Sequence, residues 1–194
     1  MDTITQQLMK QLSGGVLSQI SKQIGADKKT TGSALSASIP LLVSALAKNA
    51  SLPDGAESLH QALAEDHDGS IFDDISSFLG NIQGANGSGI LGHILGSQQP
   101  VVTKGLAQGT GLNLSQIGKL LQIAAPLLMG ILGKKQQQND LDIDGLASFL
   151  GGQQKKDQQS NPDMMGMLNN LLDADGDGSS LDDILGMAGK LFGR

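Results

Sequence analysis

The chain has 194 residues and no cysteine, which excludes disulfides, thiolate metal sites and thiol nucleophiles. Its net charge is −6, its pI is about 4.8, and its only aromatic residues are four phenylalanines. We therefore expect no nucleic-acid partner, because phosphate binding needs a basic face and single-strand binding adds stacking aromatic rings. The charge is uneven, since residues 75–139 hold four lysines and no acid between two acidic flanks.

Apolar residues recur every three to five positions along the chain, which is the spacing of amphipathic helices. No segment alternates as a strand does, so we predict an all-α fold, a multihelical bundle. Residues 151–160, rich in glutamine and lysine, are predicted as a linker. The predicted helices, in chain order, are 3–24, 28–48, 55–65, 71–80, 88–96, 100–109, 114–133, 144–150, 163–172 and 181–192.

Three helix starts carry capping signals. Asp27 and Asn113 stand where a side-chain oxygen can accept from free N–H groups of the first turn, and Asp54 with Glu57 has the spacing of a capping box. Residues 87–92 match G-x-G-x-x-G, but no strand precedes them and no acid follows at the distance that a dinucleotide fold requires. We interpret their glycines as a flexible connector into a helix.

An internal duplication appears when the chain is slid along itself by 86 residues. The shared pattern is Gly-x-(Asp/Asn), a helix, and then Pro-Leu-Leu-x-x-x-Leu-x-Lys, with Pro40 matched to Pro126. We predict a first helical repeat over 1–85, a second over 86–152, and a linker with a C-terminal Asp-rich helical hairpin over 153–194. Five leucines of the repeated helices are predicted to be buried: Leu35, Leu42, Leu121, Leu128 and Leu132.

A second repeat, at an offset of 109, matches residues 66–75 with residues 175–184. Ser70 with Asp73, and Ser179 with Asp182, have the spacing of a capping box. The later copy also resembles a calcium loop, where carboxylates supply hard oxygen ligands and Gly178 permits the turn. Position 12 of that loop is Ile184 instead of the usual glutamate, so calcium binding and helix capping both stay open. The candidate calcium ligands are Asp173, Asp175, Asp177, the carbonyl of Ser179, Asp182 and Asp183.

No catalytic constellation is found. His60, His67 and His93 lack the i, i+4 spacing of a helical metal pair, and neither a nucleophile elbow nor a phosphate-binding loop occurs. The acidic and polar residues 1–7 do not resemble a secretory signal, so we expect a cytoplasmic location. The longest apolar stretch, 123–132, is far short of the roughly 20 residues of a membrane span, and predicts a buried core helix and no transmembrane segment.

The assembled motifs resemble the YidB-like bacterial family of domains of unknown function. The resemblance rests on the Pro-Leu-Leu-x-x-x-Leu-x-Lys unit, on His67-Asp68-Gly69-Ser70, and on the closing Leu-Leu-Asp-x-Asp-Gly-Asp-Gly. It implies a multihelical bacterial protein without assigned activity or cofactor. The function that we predict is a non-enzymatic module that self-associates or binds a protein partner, because duplicated apolar helices and segregated charge favour association. The alternative is a calcium-responsive regulator that uses the C-terminal Asp-rich loop.

Overall fold

The structure is a computed structural model that describes residues 3–160 of the chain. Within this part every regular element is helical and no strand occurs, which confirms the all-α prediction. The predicted helices 163–172 and 181–192 lie outside the described residues. In chain order the α-helices are α1 Ile4–Gln11, α2 Gly15–Ile24, α3 Lys28–Asn49, α4 Pro53–Glu65, α5 Ile75–Gly80, α6 Gly87–Leu95, α7 Gln99–Thr110, α8 Leu114–Asn139 and α9 Ile143–Ser160.

The first predicted helix, 3–24, is in fact two helices. Gly14 separates α1 from α2 with a φ of +68°, a left-handed conformation that a residue with a side chain rarely adopts. Thr3 begins α1 with a capping box, because its hydroxyl accepts from the Gln6 N–H while the Gln6 side chain accepts from the Thr3 N–H. The periodic apolar pattern continues across Gly14, so periodicity alone does not show the break.

The two long helices, α3 and α8, begin in the same way. The Asp27 carboxylate accepts from the Thr30 N–H at 2.9 Å, and the Asn113 side chain accepts from the Gln116 N–H at 2.9 Å, which confirms both predicted N-caps. Each cap follows a glycine in the left-handed conformation, with φ of +72° and +76°. Pro40 and Pro126 lie inside α3 and α8 at equivalent positions.

The two predicted capping boxes that lie within the described residues are wrong. Helix α4 begins after Leu52 with Pro53 in its first turn, so Asp54 lies within the helix and caps nothing. Ser70 is no N-cap, because it is the first residue of a short 3-10 turn, Ser70–Phe72, that follows Gly69. The carboxylates that do cap this region belong to Asp68 and Asp74, which no spacing rule had selected.

Two interpretations as irregular chain are wrong. Helix α6 confirms the predicted helix 88–96, and the glycines of residues 87–92 belong to its first turns and are no flexible connector. Residues 151–160 are no linker, because they continue α9 to Ser160. Their polar composition suggested exposure to solvent, but two of these polar side chains are buried and hydrogen-bonded. The Gln153 side chain accepts from the Ile4 N–H at 3.1 Å, and the Asp157 carboxylate accepts from the Thr5 hydroxyl at 3.0 Å. These bonds hold α9 against the first turn of α1.

One core runs through the described residues. The five leucines predicted to be buried are each 0% exposed, and every residue of the 123–132 stretch is buried. By length and composition α3 and α8 could each cross a membrane. However, 67% and 78% of their most apolar stretches are buried inside the protein, which also suits core helices of a soluble protein.

The two repeats are interlocked. We name residues 3–65 the first half, residues 87–160 the second half, and residues 66–86 the connecting segment. Helices α3 and α8 contact each other, and both α2 and α7 pack against this central pair. Helix α4 leaves α3 and packs on α8, whereas α9 leaves α8 and packs on α3. Each half thus completes the other, an arrangement that supports the predicted duplication.

The correspondence extends beyond the long helices. Helix α1 and helix α6 both contact α3 and α8. At the offset of 86, Ile4 matches Ile90, and Leu8 matches Ile94, and all four are buried. Four helices of the first half therefore have counterparts in the second half, with the connecting segment between them.

Candidate functional site

Two adjoining cavities lie where the connecting segment meets α4, α6 and α8. Their volumes are about 640 Å³ and about 570 Å³, and both are lined by Asp66, His67, Asn86 and Ile90. We call this joined depression the His67 cleft. The sequence had drawn attention to residues 66–75 as a repeat, but it did not show that they border a cleft.

Glycines of α8 let the connecting segment approach closely. A methyl group on Gly133 would overlap the backbone carbonyl oxygen of His67, and one on Gly130 would lie 2.6 Å from the Ile71 Cγ2 atom. Gly69, at φ +93°, turns the chain beside Lys134. The Gly-x-x-Gly spacing in α8 was the available sequence signal for this contact, because it places both glycines on one helix face.

Backbone capping holds the loop in shape. The Asp68 carboxylate accepts from the Ser70 N–H at 2.9 Å, and the Asp74 carboxylate accepts from the Ser77 N–H at 2.9 Å at the start of α5. Hydrogen bonds from Ser70 lower the pKa of Asp68, because they stabilise its charged form. The loop therefore presents an ionised carboxylate next to His67 at neutral pH.

His67 is half-buried in the cleft. Burial lowers the pKa of its imidazole, and the neighbouring carboxylates of Asp66 and Asp68, which raise it, do not reverse that direction. The ring is therefore neutral at pH 7 and can accept one hydrogen bond and donate another. Within the described residues its nitrogens have no hydrogen-bond partner, so no serine or carboxylate is paired with it as in an activated nucleophile.

The cleft combines an apolar floor with a negatively charged rim. Buried side chains such as Ile90, Ile94 and Met129 form the floor, and Leu52, which is 64% exposed, lies at the edge. The charged lining residues are Asp54, Asp66 and Asp68, and no lysine or arginine lines either cavity among the described residues. Such a lining favours a ligand with an apolar body and a positive charge.

Of the other two histidines, His60 lies outside the His67 cleft and His93 lies at its edge. The His60 Nε2 atom lies 3.2 Å from the Leu141 carbonyl oxygen, so this ring joins α4 to the chain before α9. His93 lines the second cavity from α6, whose last carbonyls accept from the Asn49 side chain at 3.0 Å. In the part of the chain that the structure describes, no group of three histidine or acidic side chains is arranged to hold a metal ion.

The predicted calcium ligands cannot be compared with this geometry. Asp173, Asp175, Asp177, Ser179, Asp182 and Asp183 all lie outside the described residues, so calcium binding and helix capping there stay predictions. Among their counterparts in the first copy of the repeat, Asp66, Asp68 and Ser70 border the cleft and Asp74 caps α5, whereas Ala64 and Asp73 do neither.

A bacterial protein family of unknown function, DUF937, matches residues 6–135, more than half of the chain. The chain belongs to this family. The YidB-like resemblance fits it, and the matched region contains both cavities and ends before α9. No curated protein and no solved structure matches the chain. Family membership therefore establishes a bacterial domain of unknown function. Any proposal about its function has to rest on the geometry of the cleft.

Proposed function

We propose that this chain is a non-enzymatic protein-interaction module that binds a positively charged segment of a partner polypeptide in the His67 cleft. The observation that carries the proposal is the lining of the cleft, an apolar floor under three carboxylates with no cation among the described lining residues. A lysine or arginine side chain fits this environment, because its apolar stem can cover the floor while its charged end faces the carboxylates. The predicted cytoplasmic location is part of the same proposal.

The neutral state of His67 supports a cationic ligand. Because burial lowers the pKa of its ring, His67 adds no positive charge to the cleft near pH 7. The unprotonated nitrogen of the neutral ring can instead accept a hydrogen bond from an ammonium or guanidinium group. Protonation at lower pH would place a positive charge beside the ligand, so binding should weaken as the pH falls below the ordinary histidine value of 6.5.

The partner that the sequence itself offers is a second copy of the chain. Lys104 and Lys119 are exposed, and they lie within residues 75–139, which contain no acid. A lysine of one copy can therefore approach the cleft of another without meeting an acid of its own segment. Contacts between opposite charges of this kind steer association and weaken with salt.

Sedimentation velocity at high protein concentration tests this version. The parent should associate at about 0.05 M salt and dissociate at about 0.5 M, where the Debye length falls from about 14 Å to about 4 Å. The variant Asp54→Asn with Asp66→Asn should be monomeric at both salt concentrations. Its control, Asp140→Asn with Asp144→Asn, loses the same charge at exposed positions outside the cleft lining and should associate like the parent.

A second probe covers a partner other than the chain itself. A fluorescent helical peptide of lysine and leucine should bind the parent and the control variant, and bind the cleft variant at least tenfold more weakly. Equal binding by all three proteins would contradict the cleft as the binding surface. A parent that is monomeric at low salt and does not bind the peptide would overturn the proposed function.

A further inference from the structure

Residues 184–194, which we call the basic segment, have the chemistry that the His67 cleft favours in a ligand. The segment contains Lys190 and Arg194 and no acid, and its other residues are apolar or glycine. The two cations are four residues apart, the spacing of neighbours on a helix surface. Apolar residues also recur every three or four positions, as on one face of the predicted helix 181–192. These apolar residues are Ile184, Leu185, Ala188, Leu191 and Phe192.

The cleft has the form of a groove between α4 and α6. Residues that line it recur every three or four positions along α4, from Asp54 to Asp66, and α6 lines the other side from its N-cap Asn86 to Ile94. The lining stretch of α4 is about 18 Å long, whereas the apolar face of the basic segment is about 12 Å long as a helix. The segment therefore fits lengthwise over the apolar floor of the cleft.

The two ends of the groove differ in charge. Asp66 and Asp68 lie at the end where α4 finishes. At the other end Asp54 is accompanied by Lys48, which lines an adjoining cavity of about 250 Å³ that shares lining residues with the cleft. The first end is therefore negative and the second nearly neutral, which favours one orientation of a charged segment.

We propose that the basic segment occupies the His67 cleft of its own molecule, with Lys190 and Arg194 beside Asp66 and Asp68. The two aspartates directly before the segment then lie towards the nearly neutral end, whereas the opposite orientation would bring four carboxylates together. This inference rests on the function proposed for the cleft and adds its regulation. A cleft filled by the chain's own segment is closed to a partner until the segment leaves.

The chain between α9 and the basic segment is long enough for this contact. Residues 161–180 span about 66 Å when extended, and about 48 Å when the predicted helix 163–172 is formed. A compact unit the size of residues 3–160 has a radius of gyration of about 15 Å and therefore a diameter of about 40 Å. The segment can thus reach the cleft from Ser160 without any rearrangement of the described helices.

Tethering makes a weak contact sufficient for regulation. A segment on a flexible linker has an effective concentration on the order of 1 mM at a site on the same chain. A segment with a dissociation constant of about 0.3 mM then fills the cleft in about three quarters of the molecules. It weakens the binding of a partner about fourfold, because the partner has to displace it.

Zero-length carbodiimide cross-linking of the full-length chain at low protein concentration tests the docking. The reagent joins a lysine amine to a carboxylate in direct contact, and Lys190 is the only lysine beyond Lys156. The expected product is a monomer in which peptide mass analysis finds Lys190 joined to Asp66 or Asp68. Absence of this link would overturn the proposal, and so would the same link found only in a dimer.

Two variants set the scale of the cross-link. Lys190→Arg keeps the charge but removes the reactive amine, so the product should disappear. Leu191→Ser with Phe192→Ser keeps the amine and both carboxylates but removes the apolar contact, so the yield should fall about fivefold. An unchanged yield in this double variant would show that the link forms by random encounter, and would contradict the docking.

Binding of the fluorescent peptide of lysine and leucine tests the regulation. Lys190→Glu with Arg194→Glu should bind the peptide about fourfold more tightly than the control Lys28→Glu with Lys29→Glu. The control makes the same change in net charge at exposed positions of α3, outside the cleft lining. Equal affinity of the two variants, with the parent also binding, would overturn the inference and leave the proposed function standing. Binding by none of the proteins would contradict the proposed function and the regulation together, whereas the cross-link tests the docking itself.

Discussion

The two halves of the molecule have the same order and packing of helices, but the chain follows a different path after the last helix of each half. In the first half, α4 stops at Glu65 and the chain turns through His67 onto the glycines of α8. In the second half, α9 continues to Ser160. At the offset of 90 that relates α4 to α9, Asp157 corresponds to His67, and it bonds to Thr5 at the start of α1. At equivalent positions the first half thus borders an open cleft, whereas the second half forms a closed contact.

Small differences in the central helices explain the contrast. Helix α8 has Gly130 and Gly133 where the connecting segment crosses, whereas the corresponding residues of α3 are Ser44 and Ala47. A backbone can approach a helix closely only where no side chain intervenes. A few side chains on otherwise equivalent helices therefore explain why the chain crosses α8 closely after α4 but does not cross α3 in the same way after α9.

The largest expected effect tests the similarity of the halves. Leu42→Ala and Leu128→Ala remove equivalent side chains that are each 0% exposed. Each substitution should lower the free energy of unfolding by about 2–5 kcal/mol, measured by denaturant titration. Leu114→Ala, at a position that is 57% exposed, should cost less than about 0.5 kcal/mol. A large loss at only one of the two buried positions would break the proposed equivalence.

The glycine contact tests the difference between the halves. Gly133→Ala should destabilise by about 1–3 kcal/mol, because the added methyl group overlaps the His67 carbonyl oxygen and forces the loop away. Gly118→Ala in the same helix meets nothing within 4 Å and should stabilise by about 0.5–1 kcal/mol through helix propensity. Thermal and denaturant unfolding compare the two. A Gly133→Ala protein as stable as Gly118→Ala would contradict the close approach.

The closed contact of the second half should respond to pH. Asp157 is 2% exposed, and burial raises the pKa of its carboxyl above the ordinary 3.8, although hydrogen bonds from Thr5 and Thr3 oppose this. The native state therefore holds the proton more tightly than the unfolded chain. The stabilising contribution of this group is fully present below about pH 3.8 and is lost as the pH rises through the folded pKa.

Two substitutions sharpen this prediction. Asp157→Asn keeps an acceptor for the Thr5 hydroxyl without a charge, so it should stabilise the protein at pH 7 and have little effect near pH 3.5. Thr5→Val removes the donor and should cost about 1–3 kcal/mol at pH 7. Urea titrations at several pH values measure both. A constant difference between Asp157→Asn and the parent from pH 3.5 to 7 would show that this carboxyl does not titrate as described.

The smallest effect concerns the C-terminal copy of the Asp-rich repeat. If Asp173, Asp175 and Asp177 bind calcium, calorimetric titration should give a dissociation constant of about 10⁻⁴–10⁻³ M, because the bidentate acid of position 12 is missing. The heat should vanish in Asp175→Ala with Asp177→Ala. No heat at millimolar calcium would leave only the helix-capping role of Asp182 and Asp183, the second of which corresponds to Asp74 at the start of α5.

Local patterns in the sequence determined much of the fold. Apolar periodicity identified most helices and the five buried leucines, and the N-caps at Asp27 and Asn113 followed from side-chain oxygens placed before long helices. These features depend on contacts between residues close in the chain, which is why spacing rules detect them. The repeat at an offset of 86 was likewise detected from the sequence alone.

Tertiary structure decided the rest. The polar residues 151–160 suggest a linker when the sequence is considered alone. In the structure they are helical, and Gln153 and Asp157 form hydrogen bonds with residues of α1, more than a hundred residues away in the chain. The His67 cleft likewise depends on which helix the connecting segment crosses, and the glycines that allow the crossing belong to α8. The free energy of such contacts comes from groups distant in sequence, and no local pattern records which of them will meet.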